Sequence, residues 1–217
     1  MKMRPTYLIG VCGTDTEVGK TFFSVALLTQ LRRIGLDVAA RKLAQSFDPV
    51  DAGSTDAELL AEASGERPTT VCPPERWYEL PMAPPMAAEA LGRSLFTIAD
   101  LLADLYWPEP PVNIGLIETA GGVGSPQASD GDAADLLVAA GVDAAILVAH
   151  PGLGTISHVR LAVAALSKLP RTIVFLNRYD YQSPLHQRNR EWLEQHEGLL
   201  VASSLTEVTN SLEVPKS

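Results

Sequence analysis

The sequence has few cysteines and no long hydrophobic run, and these absences exclude several classes of protein. Cys12 and Cys72 are the only cysteines among 217 residues, so we expect no disulfide framework and a reducing, cytoplasmic setting. No apolar run reaches the roughly eighteen residues that suggest a membrane-spanning helix, so we expect no association with a membrane. Residues 1–6 contain neither a long apolar segment nor a small-residue cleavage site, so we expect no secretion signal.

Positive charge is also scarce. The chain has 17 Lys and Arg residues against 26 Asp and Glu, which gives a net charge of −9. An acidic surface repels the phosphate backbone of DNA or RNA, so we expect no nucleic-acid partner. The four histidines are not spaced from one another or from the cysteines as metal ligands are, and we interpret them as structural or surface residues.

Apolar runs alternate along the chain with segments of helical spacing, which predicts an α/β fold with a doubly wound, mostly parallel sheet. The length fits a single domain over residues 1–217, and we expect a loose tail after Glu207. Prolines are frequent between residues 68 and 85, where we predict no regular element. We predict strands at residues 7–12, 37–43, 112–118, 144–149, 172–177 and 199–202, and helices at residues 20–34, 86–91, 97–106, 132–140, 156–169 and 185–196.

A further helix is predicted to start at a cap formed by Ser54 or Thr55 and to end at Ala63, before Gly65. In parallel sheets of this kind, ligands bind at the carboxyl ends of the strands. The loops expected to share that edge are those that follow Cys12, Leu43, Glu118, Ala149 and Asn177.

The most specific motif is the loop between the first strand and the first helix. It reads Gly13-Thr14-Asp15-Thr16-Glu17-Val18-Gly19-Lys20-Thr21. Glycines let backbone amides wrap around phosphate oxygens, the lysine can neutralise the outer phosphates, and the threonine hydroxyl can hold Mg²⁺. The loop encloses five residues between Gly13 and Gly19, one more than the usual motif. A structural glycine turn is the alternative, but the order of strand, loop, Lys-Thr and helix favours a phosphate-binding loop for ATP with Mg²⁺.

This lengthened loop resembles that of the dethiobiotin synthetase family, and the resemblance extends through most of the chain. Lys42 and Ser46 match the family's Lys-x-x-x-Ser, and Asp56 matches an aspartate in the helix that follows. The other matching segments are Pro81-Met82-Ala83-Pro84 and Glu118-Thr119-Ala120-Gly121-Gly122. Asn177 matches a family asparagine that contacts the nucleotide base.

The resemblance implies a phosphate-loop ligase that uses ATP and Mg²⁺. Such an enzyme adds CO₂ or bicarbonate to a small vicinal diamine, 7,8-diaminopelargonate, and closes the ring of dethiobiotin. The implied path runs through a carbamate and a carbamic-phosphoric anhydride and needs no protein nucleophile. The family also implies a homodimer in biotin biosynthesis.

The same resemblance implies a role for each matching residue. Lys20 and Lys42 are the implied catalytic residues, and Thr21, Asp56 and Glu118 are the implied Mg²⁺ ligands. The implied substrate contacts are Thr16, Lys42, Ser46, Leu153, Thr155 and Ser157, the last three holding a carboxylate tail across the homodimer interface. The implied nucleotide contacts are Gly13, Thr14, Asp15, Thr16, Glu17, Val18, Gly19, Lys20, Thr21, Phe22, Asp56, Glu118, Thr119, Ala120, Gly121 and Asn177.

Position alone leaves alternatives open at several of these residues. Lys42 is equally explained as a solvated lysine at a strand end or as a group that stabilises a carbamate or a phosphoryl transfer. Asp56 is explained as an acidic residue favoured in the first turn of a helix. Ser46 is explained as part of a polar loop, and residues 152–157 as a plain helix cap rather than a carboxylate site.

Some residues depart from the family pattern. Leu43 stands where the family usually has proline, Thr119 where it has glycine, and Ser157 where it has asparagine. The Gly-x-Ile-Pro that lines the family's base pocket is absent from residues 201–204. These departures keep three rivals open: a related ligase acting on a different amine or carboxylate, a switch or partitioning ATPase, and an inactive homologue. Switch ATPases often carry a second lysine early in their loop, and this loop has none.

Overall fold

A computed structural model describes residues 4–50 and 53–212 and is built around six parallel strands. The strands of the chain are β1 (Tyr7–Gly13), β2 (Val38–Arg41), β3 (Gln45–Ser46), β4 (Trp77–Tyr78), β5 (Ile114–Glu118), β6 (Pro126–Ala128), β7 (Gly131–Asp132), β8 (Ala144–Ala149), β9 (Thr172–Leu176) and β10 (Leu200–Ala202). The central sheet has the order β10-β9-β8-β1-β5-β2, and β3–β4 and β6–β7 form two small pairs. The doubly wound, parallel sheet predicted from the sequence is therefore confirmed.

Helices cover both faces of this sheet. They are α1 (Lys20–Arg33), α2 (Asp56–Ser64), α3 (Pro68–Val71), α4 (Pro84–Ala90), α5 (Ile98–Asp104), α6 (Ala133–Ala140), α7 (Thr155–Ala165), α8 (Pro184–Gln195) and α9 (Leu205–Ser211). Apolar residues of α1, α2 and α9 pack on one face, and those of α5, α6, α7 and α8 pack on the other. None of the helices within the described ranges is long and apolar enough to cross a membrane.

Strand β1 lies in the middle of the sheet and is buried along its whole length. Its side chains alternate between the two faces, as the pleat of a strand requires. Tyr7, Ile9 and Val11 join the cluster around α1 and α2, whereas Leu8 and Cys12 join the other cluster. Because all five neighbouring pairs in the sheet are parallel, the loops that follow the strands open on one edge, as predicted.

The segment from residue 68 to residue 85 contains regular elements that the sequence analysis did not predict. It holds α3, a 3₁₀ turn at Pro74–Arg76, β4 and the start of α4. Each of the three helical pieces has proline in its first two positions. Proline is tolerated there because those amides lack an intrahelical acceptor in any case. The prolines that predict an absence of regular structure here instead start these short helical pieces.

Strand β2 is shorter than predicted and ends at Arg41. The backbone N–H of Lys42 donates to the carbonyl of Val71 at 2.8 Å, so the chain turns from the sheet toward α3 at this point. Thr55, one of the two predicted caps, is the cap of α2, and its side chain accepts from the Glu58 amide.

The end of the chain also differs from the expectation of a loose tail after Glu207. Helix α9 continues to Ser211, because Val208 and Leu212 are buried against the α1 face of the sheet. Residues 213–217 lie outside the described part of the chain.

Both cysteines are free and buried. Burial raises the pKa of the Cys12 thiol and that of the Cys72 thiol to about 12. A thiol of such a high pKa is a poor nucleophile and a poor metal ligand at neutral pH.

The packing of α1 on the sheet predicts a clear difference between two truncations in the same region. Leu27 is fully buried and Ile34, just past the end of α1, is 60% exposed. Leu27→Ala should lower the free energy of unfolding by about 2–5 kcal/mol, since it leaves a cavity. Ile34→Ala should change it by no more than about 0.5 kcal/mol. Urea denaturation measures both, and equal effects would contradict this placement of α1.

Candidate active site

Residues 13–21 form a loop that curls from the carboxyl end of β1 to the start of α1. Its shape requires glycine at both ends. A Cβ on Gly13 would lie 2.9 Å from the carbonyl oxygen of Asp15, and Gly19 has a φ of 92°. Glu17 has a φ of 60°, which is uncommon for a residue other than glycine. These turns give the backbone the curvature that phosphate binding needs.

Three neighbouring segments hold the loop in place. The Thr14 amide donates to the carbonyl of Val148 in β8 at 2.9 Å. The Val123 amide donates to the carbonyl of Gly13, the first residue of the loop, at 2.9 Å. The side-chain amide of Asn177, just after β9, donates to the Val18 carbonyl at 2.9 Å. The loop is therefore fixed by the carboxyl edge of the sheet on both sides of β1.

Lys20 is buried, and its ammonium group curls back into the loop. Its Nζ donates to the carbonyl of Asp15 at 3.1 Å. Burial lowers the pKa of Lys20, and the charge of Lys42 lowers it further, against the opposing pull of Glu118 and Asp56. A lysine held in this position can meet the outer phosphates of a bound nucleotide.

A hydroxyl and two carboxylates meet directly beside the loop. The Oγ1 atom of Thr21 lies 2.7 Å from Asp56 Oδ1 and 3.0 Å from Glu118 Oε1. Ser24 Oγ donates to Glu118 Oε2 at 2.6 Å and fixes the orientation of that carboxylate. These side chains come from the start of α1, the start of α2 and the end of β5, so three separate segments build one oxygen-rich cluster.

Lys42 lies in the middle of this cluster and is only 2% exposed. Its Nζ donates to Asp56 Oδ2 at 2.6 Å and to Glu118 Oε1 at 2.9 Å. Burial alone would lower the pKa of Lys42, but the two carboxylates outweigh that effect and raise it above the ordinary value. Burial acts to raise the pKa of Asp56, but Lys42 and the Thr21 hydroxyl outweigh it, so the pKa is lowered. Lys42 and Asp56 are therefore both charged at neutral pH.

The residues of the cluster fit Mg²⁺. Thr21, Asp56 and Glu118 offer only oxygen donors, which this ion prefers. Across residues 4–50 and 53–212, no group of three or more His, Cys, Asp and Glu side chains is arranged to hold a metal. Phosphate oxygens and water would therefore complete the shell, as is usual for Mg²⁺ at a nucleotide. The ion would compete with the ammonium group of Lys42 for the same carboxylate oxygens.

A cavity of about 470 Å³ opens beside the loop and the cluster. Its lining is both polar and apolar, and the Oγ of Ser46 donates to the carbonyl of Met82 at 2.5 Å. The polar lining includes Thr16, Glu17, Lys20, Thr21, Lys42, Ser46, Asp56 and Ser125, and the apolar lining includes Phe22, Pro81, Met82, Ala83, Pro84 and Ala120.

Thr119 and Asn177 are predicted nucleotide contacts whose side chains do not line this cavity. Thr119 is buried and its hydroxyl lies 3.3 Å from the carbonyl of Val11 in β1. The side chain that stands where glycine was expected is therefore buried against β1 and does not enter the cavity. The side-chain amide of Asn177 contacts the loop by donating a hydrogen bond to the Val18 carbonyl.

The predicted carboxylate segment lies elsewhere on the chain. Leu153 is 88% exposed, Ser157 is exposed, and Thr155 is buried with its Oγ1 lacking a hydrogen-bond partner. None of the three lines the cavity beside Lys42 in the same chain. The segment follows β8, the neighbour of β1 in the sheet, but within one chain it contributes no residue to the cavity that holds Lys42.

Two residues of the site were missed by the sequence analysis. Ser24 follows Thr21 by three positions in α1 and thus lies on the same face of the helix, a spacing that pointed to it. Ser125 accepts a hydrogen bond from the Gly122 amide at 2.9 Å and lines the cavity. It follows the Gly-Gly pair in a turn, and no sequence signal singled it out.

Sequence comparisons place the chain among nucleotide-dependent proteins. The AAA domain family model matches residues 8–212. An ATP-dependent dethiobiotin synthetase BioD of Anaeromyxobacter dehalogenans is 40% identical over 174 residues, which are 77% of this chain and 75% of the relative. One from Haloferax mediterranei is 34% identical over 197 residues, which are 89% of this chain and 81% of the relative.

Solved structures share the fold. A plasmid partition protein from Borrelia burgdorferi is similar with a TM-score of 0.57 at 14% identity, covering 97% of each chain. The signal recognition particle receptor FtsY from Elizabethkingia anophelis is similar with a TM-score of 0.54 at 14% identity, and the match covers 99% of this chain and 63% of the other. At such low identity these likenesses concern the fold alone, and they agree with the phosphate-loop fold predicted from the sequence.

The oxygen cluster predicts that Glu118 controls the response to Mg²⁺. Glu118→Gln keeps the size of the side chain but removes the charge, so the Mg²⁺ concentration for half-maximal nucleotide binding should rise about tenfold or more. Titration of a fluorescent ATP analogue with Mg²⁺ measures this. Glu62→Gln, at an exposed position of α2, is the matched control and should behave as the wild type. An unchanged Mg²⁺ requirement in Glu118→Gln would reject the ligand role.

Proposed function

The chain belongs to the ATP-dependent dethiobiotin synthetase family, and on that premise we propose that it converts 7,8-diaminopelargonate to dethiobiotin with ATP, Mg²⁺ and CO₂ or bicarbonate. The observation that carries the proposal is Lys42, which is buried between Asp56 and Glu118 and faces the same cavity as the phosphate loop. A charged lysine at that place suits a reaction in which anionic oxygen attacks a phosphate.

In this proposal, the nucleotide phosphates lie in the loop of residues 13–22, and Lys20 neutralises the outer phosphates. Thr21, Asp56 and Glu118 would hold Mg²⁺, which would screen the charge of the phosphates when bound. Ala120 and Gly121, which follow β5, line the cavity beside the loop, and the Thr119 hydroxyl lies against the Val11 carbonyl of β1. We likewise propose that residues 1–217 act as one ATP-binding domain in the cytoplasm.

The proposed reaction has three steps on the substrate. One amine takes up CO₂ as a carbamate, a carbamate oxygen attacks the γ-phosphate to give a carbamic-phosphoric anhydride and ADP, and the second amine displaces phosphate to close the ring. Lys42 remains protonated, because the adjacent carboxylates raise its pKa. It therefore acts by charge and hydrogen bonding toward the carbamate and the transferred phosphoryl group, and not as a base.

The cavity beside Lys42 suits an amphipathic diamine. Thr16 and Ser46 offer hydroxyl groups to it, and Met82 and its neighbouring prolines offer apolar lining for an alkyl chain. We propose that the carboxylate at the far end of the chain is held by Leu153, Thr155 and Ser157 of a second copy, in a homodimer. The support is the start of α7, where backbone amides favour an anion.

Product formation tests this proposal. The protein with ATP, Mg²⁺, isotopically labelled bicarbonate and 7,8-diaminopelargonate should yield dethiobiotin that carries the label, detected by mass spectrometry. Lys42→Ala should lower the rate about a hundredfold or more, since a charge facing the transition state is lost, while ATP binding persists. Lys168→Ala, at an exposed position after α7, should leave the rate unchanged.

Other outcomes separate the rivals. A folded sample that binds ATP but makes no dethiobiotin, while releasing phosphate with another amine or carboxylate, would identify a different ligase. Phosphate release stimulated only by a macromolecule would identify a switch ATPase. An absence of any turnover would identify an inactive homologue.

A further inference from the structure

Gln127 is a buried side-chain amide that holds the chain segment following β5. It belongs to β6 and is only 3% exposed. Its Oε1 atom accepts from the Ala120 amide at 2.9 Å, and its Nε2 group donates to the Ala120 carbonyl at 2.8 Å. A third hydrogen bond joins Nε2 to the Ser125 carbonyl at 3.1 Å. One side chain therefore holds both backbone groups of Ala120.

The backbone amides on both sides of Gly121 are engaged, whereas its own amide is not. The Ala120 amide donates to Gln127, and the Gly122 amide donates to Ser125 Oγ at 2.9 Å. In the part of the chain that the structure describes, no group accepts a hydrogen bond from the Gly121 amide. Gly121 also lines the cavity beside the phosphate loop, so a ligand in the cavity is the available acceptor for this donor.

Gln127 sets the direction of this amide through one planar peptide group. The peptide between Ala120 and Gly121 is trans, and in a trans peptide the carbonyl and the following N–H point in opposite directions. The Ala120 carbonyl is turned toward Gln127, which is buried and does not line the cavity. The Gly121 N–H is therefore turned away from Gln127.

The segment that carries this amide lies against the phosphate loop. A Cβ built on Gly122 would lie 3.3 Å from the carbonyl oxygen of Thr14. Lys20 and Lys42 line the same cavity as Gly121. An oxygen that accepts from the Gly121 amide would thus share the cavity with two positive charges, which favours an anionic oxygen.

We propose that Gln127 is a positioning residue, which orients the Ala120–Gly121 peptide so that the Gly121 amide donates to an anionic oxygen at the reacting end of the ligands. This oxygen belongs to a nucleotide phosphate or to a carbamate, which offer the amide the same chemistry. The inference deepens the proposed function and rests on it for the nature of these ligands.

NMR spectroscopy can observe the Gly121 amide directly. The Ala-Gly pairs of the sequence are at residues 52–53, 120–121 and 140–141, so ¹³C in the alanine carbonyls and ¹⁵N in the glycines select these amides alone. Ala120→Ser removes the signal of its pair and thereby identifies it. The Gly121 proton should move downfield with Mg²⁺ and a non-hydrolysable ATP analogue if the oxygen is that of a phosphate. It should do so with the diamine and bicarbonate if the oxygen is that of a carbamate.

Two substitutions of Gln127 test its role. Gln127→Met keeps the length of the side chain but removes its three hydrogen bonds, so the downfield shift should disappear. The affinity for the ligand that causes the shift should fall about tenfold. Gln127→Glu places a carboxylate oxygen against two carbonyl groups, and its loss of affinity should be at least as large. Titration calorimetry measures the affinities, and circular dichroism checks that each variant is folded.

Gln30→Met is the matched control, because the same substitution removes a side-chain hydrogen bond far from the cavity. Gln30 Nε2 donates to Thr209 Oγ1 at 2.9 Å, between α1 and α9. Gln30 lies about 15 Å along α1 from Lys20. Its substitution should lower stability without changing the Gly121 signal or either affinity.

Two outcomes would overturn the proposal. A Gly121 signal that moves downfield with neither ligand, in a protein that makes dethiobiotin, would show that this amide does not bind the reacting groups. An unchanged shift and full affinity in folded Gln127→Met would show that Gln127 has a purely structural role.

The proposed function fails in a different way. A Gly121 signal that moves downfield with the nucleotide, in a protein that makes no dethiobiotin, would support the inference and reject only the proposed reaction. A folded wild-type protein that binds neither ligand would reject both.

Discussion

The burial of Lys42 between Asp56 and Glu118 is the constraint on which the arrangement of the site depends. A charged ammonium taken out of water is costly unless carboxylates and hydrogen bonds compensate for the lost hydration. The three partners come from the chain after β2, from α2 and from β5, so the charge balance holds only when all three elements pack together. The hydroxyls of Thr21 and Ser24 extend the same network to α1, and so join the cluster to the phosphate loop.

The parallel sheet explains how such distant segments meet. Residues that end neighbouring strands must share an edge, and β1 lies beside β5, with β2 next in the order. The register places Val11 opposite Glu118, just where β1 leads into the loop. A metal ion arriving with a nucleotide would find two carboxylates already oriented by Lys42, so the loop and the cluster are organised before any ligand binds.

Residue patterns predicted the parts of this structure that depend on local rules. Strand β8 has the predicted bounds because it is an apolar run closed at both ends by turn residues, and the loop of residues 13–21 was identified from glycine spacing. The starts of α3 and α4 were missed, because proline both breaks helices and begins them and only the surrounding packing decides between the two. The orientation of Thr119 and the separation of Leu153 from Lys42 depend on contacts far apart in the sequence. A local sequence pattern therefore predicts neither of these two features.

The turn of the chain at Lys42 also affects the hydrogen bonding of the outer edge of the sheet. Strand β2 is the outer strand on its side, and the N–H groups of alternate residues face away from β5. The Ala40 amide donates to Glu66 Oε2 at 2.7 Å and the Lys42 amide donates to the Val71 carbonyl at 2.8 Å. Exposed strand edges invite pairing with other chains and aggregation. These two hydrogen bonds, one of them made at the turn that directs Lys42 into the cluster, therefore occupy edge amides with which another chain would have to pair to add a strand.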